Sequence, residues 1–158
     1  MIRSATQDDI AALCSLAKAT RLFQPHEVEG FGEMMKEQLS NNSDRDSLWI
    51  VDGDEEISGA AYYAPEPFSE GVWNLYFIGV HPTQQGQGRG SALLNYVEKS
   101  LSEREVRILL VETSGVDSFE LTRKFYKKNG YDEEARIRDF YQSGDDKVIF
   151  RKALQKSN

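Results

Sequence analysis

A segment with glycine at every second position, Gly86-Gln87-Gly88-Arg89-Gly90, lies between a strand-like run and a helical pattern. The run before it, Trp73 to Val80, is rich in aromatic and β-branched residues, which predicts a central strand buried on both faces. Beyond the glycines, apolar residues recur at the spacing of an amphipathic helix, at Leu93, Leu94, Val97 and Leu101. Another β-prone run, Val106 to Val111, comes next. This order predicts a β-loop-α-β unit.

The glycine segment has the properties of an anion-binding loop. Gly86, Gly88 and Gly90 let the backbone approach an anion without obstruction by a Cβ atom. The first amides of the following helix have no partner within the helix and lie at the positive end of its dipole. A pyrophosphate is therefore the expected ligand. A P-loop would need Gly-Lys-Ser/Thr, and the glycine spacing differs from the dinucleotide-binding fingerprint, so nucleotide hydrolysis and hydride transfer lose support.

The same segment, with residues further along the chain, carries a family resemblance. Gln85-Gly86-Gln87-Gly88-Arg89-Gly90 resembles the acetyl-CoA signature of the GNAT N-acetyltransferase superfamily, which is written Gln/Arg-x-x-Gly-x-Gly/Ala. Val80-x-Pro82 upstream and Leu93-Leu94 downstream also match that pattern. Phe125-Tyr126-Lys127-Lys128-Asn129-Gly130-Tyr131 is similar to the helix end of this family, an aromatic-Tyr-x-x-x-Gly-aromatic sequence. These matches span Leu75 to Tyr131.

The other patterned segments agree with the resemblance in their order. Thr6 with Asp8 and Asp9 predicts a helix start, and Ile10, Leu13, Cys14 and Ala17 form one apolar stripe after it. A second helix is predicted from about Glu27 to Leu39, followed by a polar loop at 41–46. The remaining predicted elements are strands at Leu48 to Val51, Ile57 to Ala64, Tyr131 to Tyr141 and Val148 to Arg151, a tight turn at Asp52-Gly53-Asp54, and a helix from about Ser118 to Asn129.

We expect one domain over residues 1–158, because 39% hydrophobic residues in a chain of this length supply one core and little more. The expected fold class is α/β (α+β mixed sheet) with the GNAT architecture. It has about seven mostly antiparallel strands, a parallel β4/β5 pair and four helices.

The resemblance also implies where acetyl-CoA binds as a co-substrate. The pantetheine arm would lie along Ile78 and Val80 of the central strand. The pyrophosphate would lie on backbone amides of the glycine segment, at Gln85, Gly86, Gln87, Gly88, Arg89, Gly90 and Ser91.

Two catalytic residues are predicted. Tyr126 resembles the family tyrosine that faces the CoA sulfur, where its hydroxyl would donate a proton or a hydrogen bond to the departing thiolate; the alternative is an aromatic residue of the core. The attacking amine must lose a proton, and Glu112, placed at the C-terminal end of a buried strand, is the leading base, either directly or through water. The alternative for Glu112 is an exposed residue at a strand end.

The predicted acceptor site comprises Tyr62, Asn74 and Tyr76. Alternation along the strand Trp73 to Val80 puts Asn74 and Tyr76 on the same face as the proposed pantetheine contacts. Tyrosines serve equally well as half-buried residues of a sheet, which is the alternative.

Charge and composition limit the partners. The formal net charge of −7 opposes nucleic-acid binding and suits a cationic substrate. No apolar run approaches the roughly 18 residues of a membrane span, and a cytoplasmic location is expected. Two histidines and one cysteine show no spacing typical of a zinc site, so no metal is expected. A homodimer remains open.

The sequence therefore predicts an acetyl-CoA-dependent N-acetyltransferase that acts by direct transfer on a primary amine of a small or amino-acid-like molecule. Two alternatives remain: an inactive CoA-binding sensor or regulatory module, and a protein-lysine or N-terminal acetyltransferase.

Overall fold

A computed structural model of the chain describes residues 1–20, 25–40 and 48–154. The predicted loop at 41–46 lies outside these residues. The described residues form four α-helices, namely α1 (Ile10–Thr20), α2 (Pro25–Ser40), α3 (Arg89–Glu103) and α4 (Glu120–Lys128). They also form seven strands, namely β1 (Ile2–Ser4), β2 (Leu48–Asp52), β3 (Gly59–Pro65), β4 (Val72–Val80), β5 (Ile108–Ser114), β6 (Asp132–Gln142) and β7 (Asp145–Ala153). None of the described helices is long and apolar enough to cross a bilayer.

The strands belong to one mixed sheet with the order β1-β2-β3-β4-β5-β7-β6. β4 and β5 are parallel, and Val72 to Leu75 pair in register with Ile108 to Val111. The pairs β1/β2, β2/β3, β5/β7 and β6/β7 are antiparallel. The seven-stranded mixed sheet with a parallel β4/β5 pair and four helices confirms the predicted fold.

Residue contacts group the chain into two compact units. One contains Met1–Ala64 and Phe77–Val97, and the other contains Pro65–Tyr76 and Glu98–Asn158. The assignment of 1–158 to a single domain stays a prediction.

The first unit has an aromatic and aliphatic core. The rings of Phe31 and Trp49 meet edge to face at 5.1 Å between centroids, and Phe77 packs on Phe31 at 5.7 Å. Leu13 of the predicted apolar stripe joins this cluster, and Ile10 and Cys14 of the same stripe pack against it. Leu16, which lies outside the predicted stripe, also joins it.

The start of α1 is fixed by a buried carboxylate. A 3₁₀ turn, Gln7–Asp9, precedes the helix, and the backbone N–H of Thr6 donates to the Asp9 carboxylate at 2.8 Å. Two guanidinium nitrogens of Arg3 donate to the two oxygens of Asp9 at 2.8 and 2.9 Å. The hydrogen bonds from Arg3, aided by the Thr6 amide, lower the pKa of Asp9 below its usual value. Asp9 therefore ties β1 to the helix start.

Replacing Asp9 by Asn should lower the free energy of unfolding at neutral pH by about 2 kcal/mol, because hydrogen bonds to a charged group are lost. A lowered folded-state pKa contributes stability above the unfolded value of about 3.9, and this contribution disappears as the pH falls through the folded-state pKa. Urea denaturation of Asp9→Asn and wild type should therefore differ at neutral pH and converge in acid. The exposed neighbour provides a control, since Asp8→Asn should leave stability unchanged. Equal stability of Asp9→Asn and wild type at neutral pH would contradict this role.

The connection between β2 and β3 is longer than predicted. The strand expected from Ile57 begins at Gly59, and the Ser58 N–H donates to the Asp52 carbonyl at 2.9 Å across a loop. The amide of Gly53 donates to the Met1 carbonyl at 3.2 Å instead of closing a tight hairpin turn. The prediction of a tight turn at Asp52-Gly53-Asp54 was therefore wrong in length, because the Asp52 carbonyl pairs with the amide of Ser58, six positions along the chain.

The core of the second unit lies along β5, β7 and α4. Leu109, Val111, Val148 and Phe150 are buried, and β5 pairs with β7 along its whole length, from Ile108 to Ser114. β5 thus extends three residues beyond its predicted end at Val111. Glu112 therefore lies within the strand and not at its end.

Candidate active site

The glycine segment forms a tight turn directly before α3. A 3₁₀ turn at Pro82–Gln84 follows β4, and both Gly86 and Gly88 have a φ of 77°, a left-handed conformation that glycine adopts without strain. The Ala92 N–H donates to the Gly88 carbonyl at 3.0 Å. Because this is the first backbone hydrogen bond of α3, the amides from Gly88 to Ser91 have no acceptor within the helix.

Open space lies beside two glycines of the turn. A Cβ atom built on Gly86 or Gly88 would have no heavy atom within 4 Å, apart from the chain next to it. Open space beside these two glycines, together with the unpaired amides at the N-terminus of a fifteen-residue helix, suits the phosphate groups of CoA. The structure thus brings Gln85 to Ser91 together in this turn and the first turn of α3.

Two side chains of this turn are engaged with the protein. Gln85 Nε2 donates to the Val80 carbonyl at 3.0 Å, which holds the turn against the end of β4. Arg89 Nη1 donates to Asp52 Oδ2 at 3.3 Å and to Ser58 Oγ at 3.2 Å, so its guanidinium group braces the β2–β3 connection. The predicted contacts of Gln85 and Arg89 with the cofactor therefore concern their backbone amides.

The two residues predicted to line the pantetheine arm lie at the end of β4. Val80 is buried and Ile78 is half-buried, and residues two apart on a strand point to the same face. Their contact with acetyl-CoA stays a prediction.

Tyr126 lies in the last turns of α4, in a helix end fixed by backbone hydrogen bonds. The N–H of Tyr131 donates to the Tyr126 carbonyl at 3.0 Å, and the N–H of Gly130 donates to the Lys127 carbonyl at 3.1 Å. Gly130 has a φ of 91°, so the pair of bonds forms a Schellman motif. The Gly of the sequence pattern is thus explained, since it ends the helix four residues after the tyrosine.

An aromatic cluster surrounds the Tyr126 ring. Its centroid lies 5.6 Å from that of Phe150 and 5.8 Å from that of Tyr131. Burial raises the pKa of Tyr126 far above its usual value, so the hydroxyl keeps its proton at neutral pH. A protonated phenol can donate a hydrogen bond or a proton, as the predicted role requires. The structure also fits the alternative of a core aromatic, and the role of Tyr126 stays a prediction.

A polar cluster lies in the second unit around Asn74. We define this Asn74 cluster as Glu66, Asn74, Tyr76, Glu112 and Lys147. Asn74 Nδ2 donates to Glu66 Oε1 at 2.8 Å and to Glu112 Oε2 at 3.2 Å, and the Tyr76 hydroxyl donates to Glu66 Oε1 at 3.1 Å. The cluster therefore connects the predicted base Glu112 to two predicted acceptor residues.

Glu112 is neither at the end of a strand nor without a partner. It is the fifth of seven residues in β5, and its Oε1 lies 2.8 Å from Lys147 Nζ. The Lys147 ammonium also lies 3.6 Å from the centre of the Phe140 ring. The prediction placed Glu112 at the end of β5, and this placement was wrong because antiparallel pairing with β7 continues to Ser114.

Tyr62 lies in the first unit. Its ring stacks on Trp49 at 4.6 Å between centroids, and its hydroxyl accepts a hydrogen bond from Gln38 Nε2 at 2.9 Å. Gln38 Oε1 in turn accepts from Trp49 Nε1 at 2.9 Å. These contacts give Tyr62 a role in the core, and its predicted contact with substrate stays a prediction.

Sequence reasoning missed Glu66 and Lys147. Glu66 precedes Asn74 by eight residues in the connection between β3 and β4, and its N–H donates to the Val72 carbonyl at 2.9 Å. Alternation along β4 reports which face a residue occupies, but not which residue of a loop folds back onto that face. Lys147 could be found only from the β5/β7 register, which places it beside Ser114.

Comparison with known proteins decides the family. A family model described as Acetyltransferase (GNAT) family matches residues 12–131. The chain belongs to this family. It is accordingly a GNAT N-acetyltransferase, and the GNAT fold uses acetyl-CoA.

Individual relatives of this acetyltransferase agree with the assignment. A crystal structure of a GNAT-family chain from Desulfovibrio desulfuricans is 32% identical, with a TM-score of 0.93, over 98% of this chain and 99% of that one. An amino-acid acetyltransferase from Ralstonia nicotianae is 29% identical over 124 residues, which are 78% of this chain. The match covers 26% of that relative, so the present chain spans about a quarter of the relative's length. An aminoglycoside 6'-N-acetyltransferase complexed with coenzyme A shares the fold, with a TM-score of 0.80 and 18% identity over 100% of this chain and 99% of that one.

Proposed function

We propose that the acetyltransferase moves the acetyl group of acetyl-CoA to a primary amine of a small or amino-acid-like molecule by direct transfer. The observation that carries this proposal is the turn before α3, where Gly86 and Gly88 adopt a left-handed conformation beside open space and lead into the N-terminus of the helix. The negative net charge favours the arrival of a cationic amine.

Acetyl-CoA supplies an activated acetyl group as a thioester. Backbone amides from Gln85 to Ser91 bind its pyrophosphate, and Ile78 and Val80 contact its pantetheine arm. A backbone amide near Ile78 to Val80 stabilises the negative charge that develops on the carbonyl oxygen. These contacts orient the thioester for attack.

In the transfer step the amine nitrogen attacks the carbonyl carbon, a C–N bond forms and the C–S bond breaks. Glu112 accepts the proton that the amine loses, directly or through a water molecule. Tyr126 donates the proton of its hydroxyl to the departing thiolate. Because burial raises the pKa of this phenol, the hydroxyl remains protonated at neutral pH and can donate a hydrogen bond to the thiolate as it departs. No acetylated protein intermediate is formed.

Asn74 and Tyr76 bind the acceptor molecule on the face of β4 that carries Ile78 and Val80. Both side chains contact Glu66, and Asn74 also contacts Glu112. The residues proposed to bind the acceptor molecule and the proposed base therefore belong to one hydrogen-bonded cluster. Tyr62 remains a third proposed acceptor residue.

A substrate screen tests the proposed function. CoA release should be measured with a panel of small primary amines and amino acids, and in parallel with lysine-containing and alanine-ending peptides. We expect turnover with members of the small-molecule set and a specificity constant above that of every peptide. Tight binding of CoA without release on any amine would indicate a sensor instead, and faster turnover of peptides would indicate a protein acetyltransferase.

A further inference from the structure

Glu66 brings an unbalanced negative charge to the Asn74 cluster. Glu112 is neutralised by Lys147 at 2.8 Å. Among the described residues, Glu66 takes part in no ion pair, and its contacts are the neutral donors Asn74 Nδ2 and Tyr76 Oη. Half-buried carboxylates with only neutral partners attract cations, because part of their hydration is lost.

The side-chain oxygen of Asn74 is a hydrogen-bond acceptor that lacks a donor among the described residues. Its side chain is 97% buried, since the exposed fraction is 3%. Both hydrogens of its amide nitrogen point to carboxylates, which fixes the orientation of the amide and directs Oδ1 as an acceptor. Among the described residues Oδ1 has no hydrogen-bond partner. A buried carbonyl oxygen in this condition is destabilising by about 1–3 kcal/mol unless a ligand or water donates to it.

We propose that the Glu66 carboxylate and Asn74 Oδ1 bind a substrate ammonium group that stays charged while a second amino group of the same molecule is acetylated. The acceptor class is therefore a diamine, or a larger molecule with two amino groups. This inference rests on the proposed function of the acetyltransferase.

The bound ammonium group is not the one acetylated. A carboxylate at contact distance favours the charged form of an amine and so opposes the loss of a proton that the nucleophile requires. An ammonium donates three hydrogen bonds, which suits one acceptor on Glu66 and one on Asn74. The second amino group loses its proton to the base, forms the C–N bond and releases CoA as the thiol.

Glu66→Gln isolates the charge of this site. Gln keeps an oxygen that can accept from Asn74 and Tyr76, and it removes only the negative charge. Calorimetric titration of the protein with α,ω-diamines and matched alkyl monoamines gives the affinities directly. We expect wild type to bind the best diamine about tenfold more tightly than its monoamine, and Glu66→Gln to abolish this preference, as expected for one charged hydrogen bond. Asn74→Ala should also lose it.

Glu70→Gln is the matched control, since it removes the same charge from an exposed residue of the same connection. It should keep the diamine preference, and all variants should bind CoA like wild type. A diamine preference retained in Glu66→Gln, or absent in wild type, would overturn the inference. Loss of CoA binding or of turnover on every amine would instead contradict the proposed function, because the amine titrations do not depend on catalysis.

Discussion

Gly88→Val should weaken the binding of CoA by about tenfold or more, because a β-branched residue is strained at a φ of 77° and its side chain would extend into the space beside the unpaired amides. The turn would then either change its backbone conformation or obstruct the pyrophosphate. Isothermal titration of the folded variant with CoA measures the effect.

Gly144→Val is a control for backbone strain alone. Gly144 lies in the turn between β6 and β7 with a φ of 83°, and a Cβ built on it also meets no heavy atom within 4 Å. Both variants should lose about 1–2 kcal/mol of stability, as expected for a residue held in an unfavourable conformation. Only Gly88→Val should lose CoA affinity. Wild-type affinity in a folded Gly88→Val protein would remove the pyrophosphate assignment.

Tyr126→Phe should lower kcat by about a hundredfold, within the range that a general acid contributes, and leave the affinity for acetyl-CoA nearly unchanged. The variant keeps the ring that packs on Phe150 and Tyr131 and removes only the hydroxyl. Steady-state kinetics with a saturating amine give kcat, and titration gives the affinity.

Tyr131→Phe is the comparison within the same aromatic cluster. The Tyr131 hydroxyl donates to Glu98 Oε2 at 2.8 Å, and Lys152 Nζ donates to the other oxygen of Glu98 at 2.9 Å, so this hydroxyl serves the packing of the second unit. We expect Tyr131→Phe to lose about 1 kcal/mol of stability and no activity. If Tyr126→Phe shows wild-type constants as well, Tyr126 is a core aromatic and has no catalytic role.

Local chemistry explains why much of the fold was predictable. Helical spacing placed Leu93, Leu94, Val97 and Leu101 on one face of α3, and all four are fully buried. Asn129-Gly130 predicted the end of α4, which the structure shows as a Schellman motif. The turn at Gln85 to Ser91 was predictable for the same reason, because glycine identity and a helix start are both properties of short segments.

Features that depend on long-range pairing were missed. β5 continues through Glu112 to Ser114 because β7 supplies its partners, which run from Ala153 back to Lys147. The contact of Glu66 with Asn74 depends on how the β3–β4 connection folds back, and that connection has no periodicity to reveal it. The engagement of Arg89 with Asp52 likewise joins residues 37 positions apart. The turn that would bind a cofactor could therefore be read from sequence, whereas the charges that would select an acceptor could not.

Direct transfer to an amine is tested by the rate of CoA release from acetyl-CoA, measured with and without a diamine, together with the mass of the product. We expect release that depends on the amine, with one mole of singly acetylated amine formed for each mole of CoA. CoA release at the same rate without the amine, or release without acetylated amine, would contradict direct transfer to an amine acceptor.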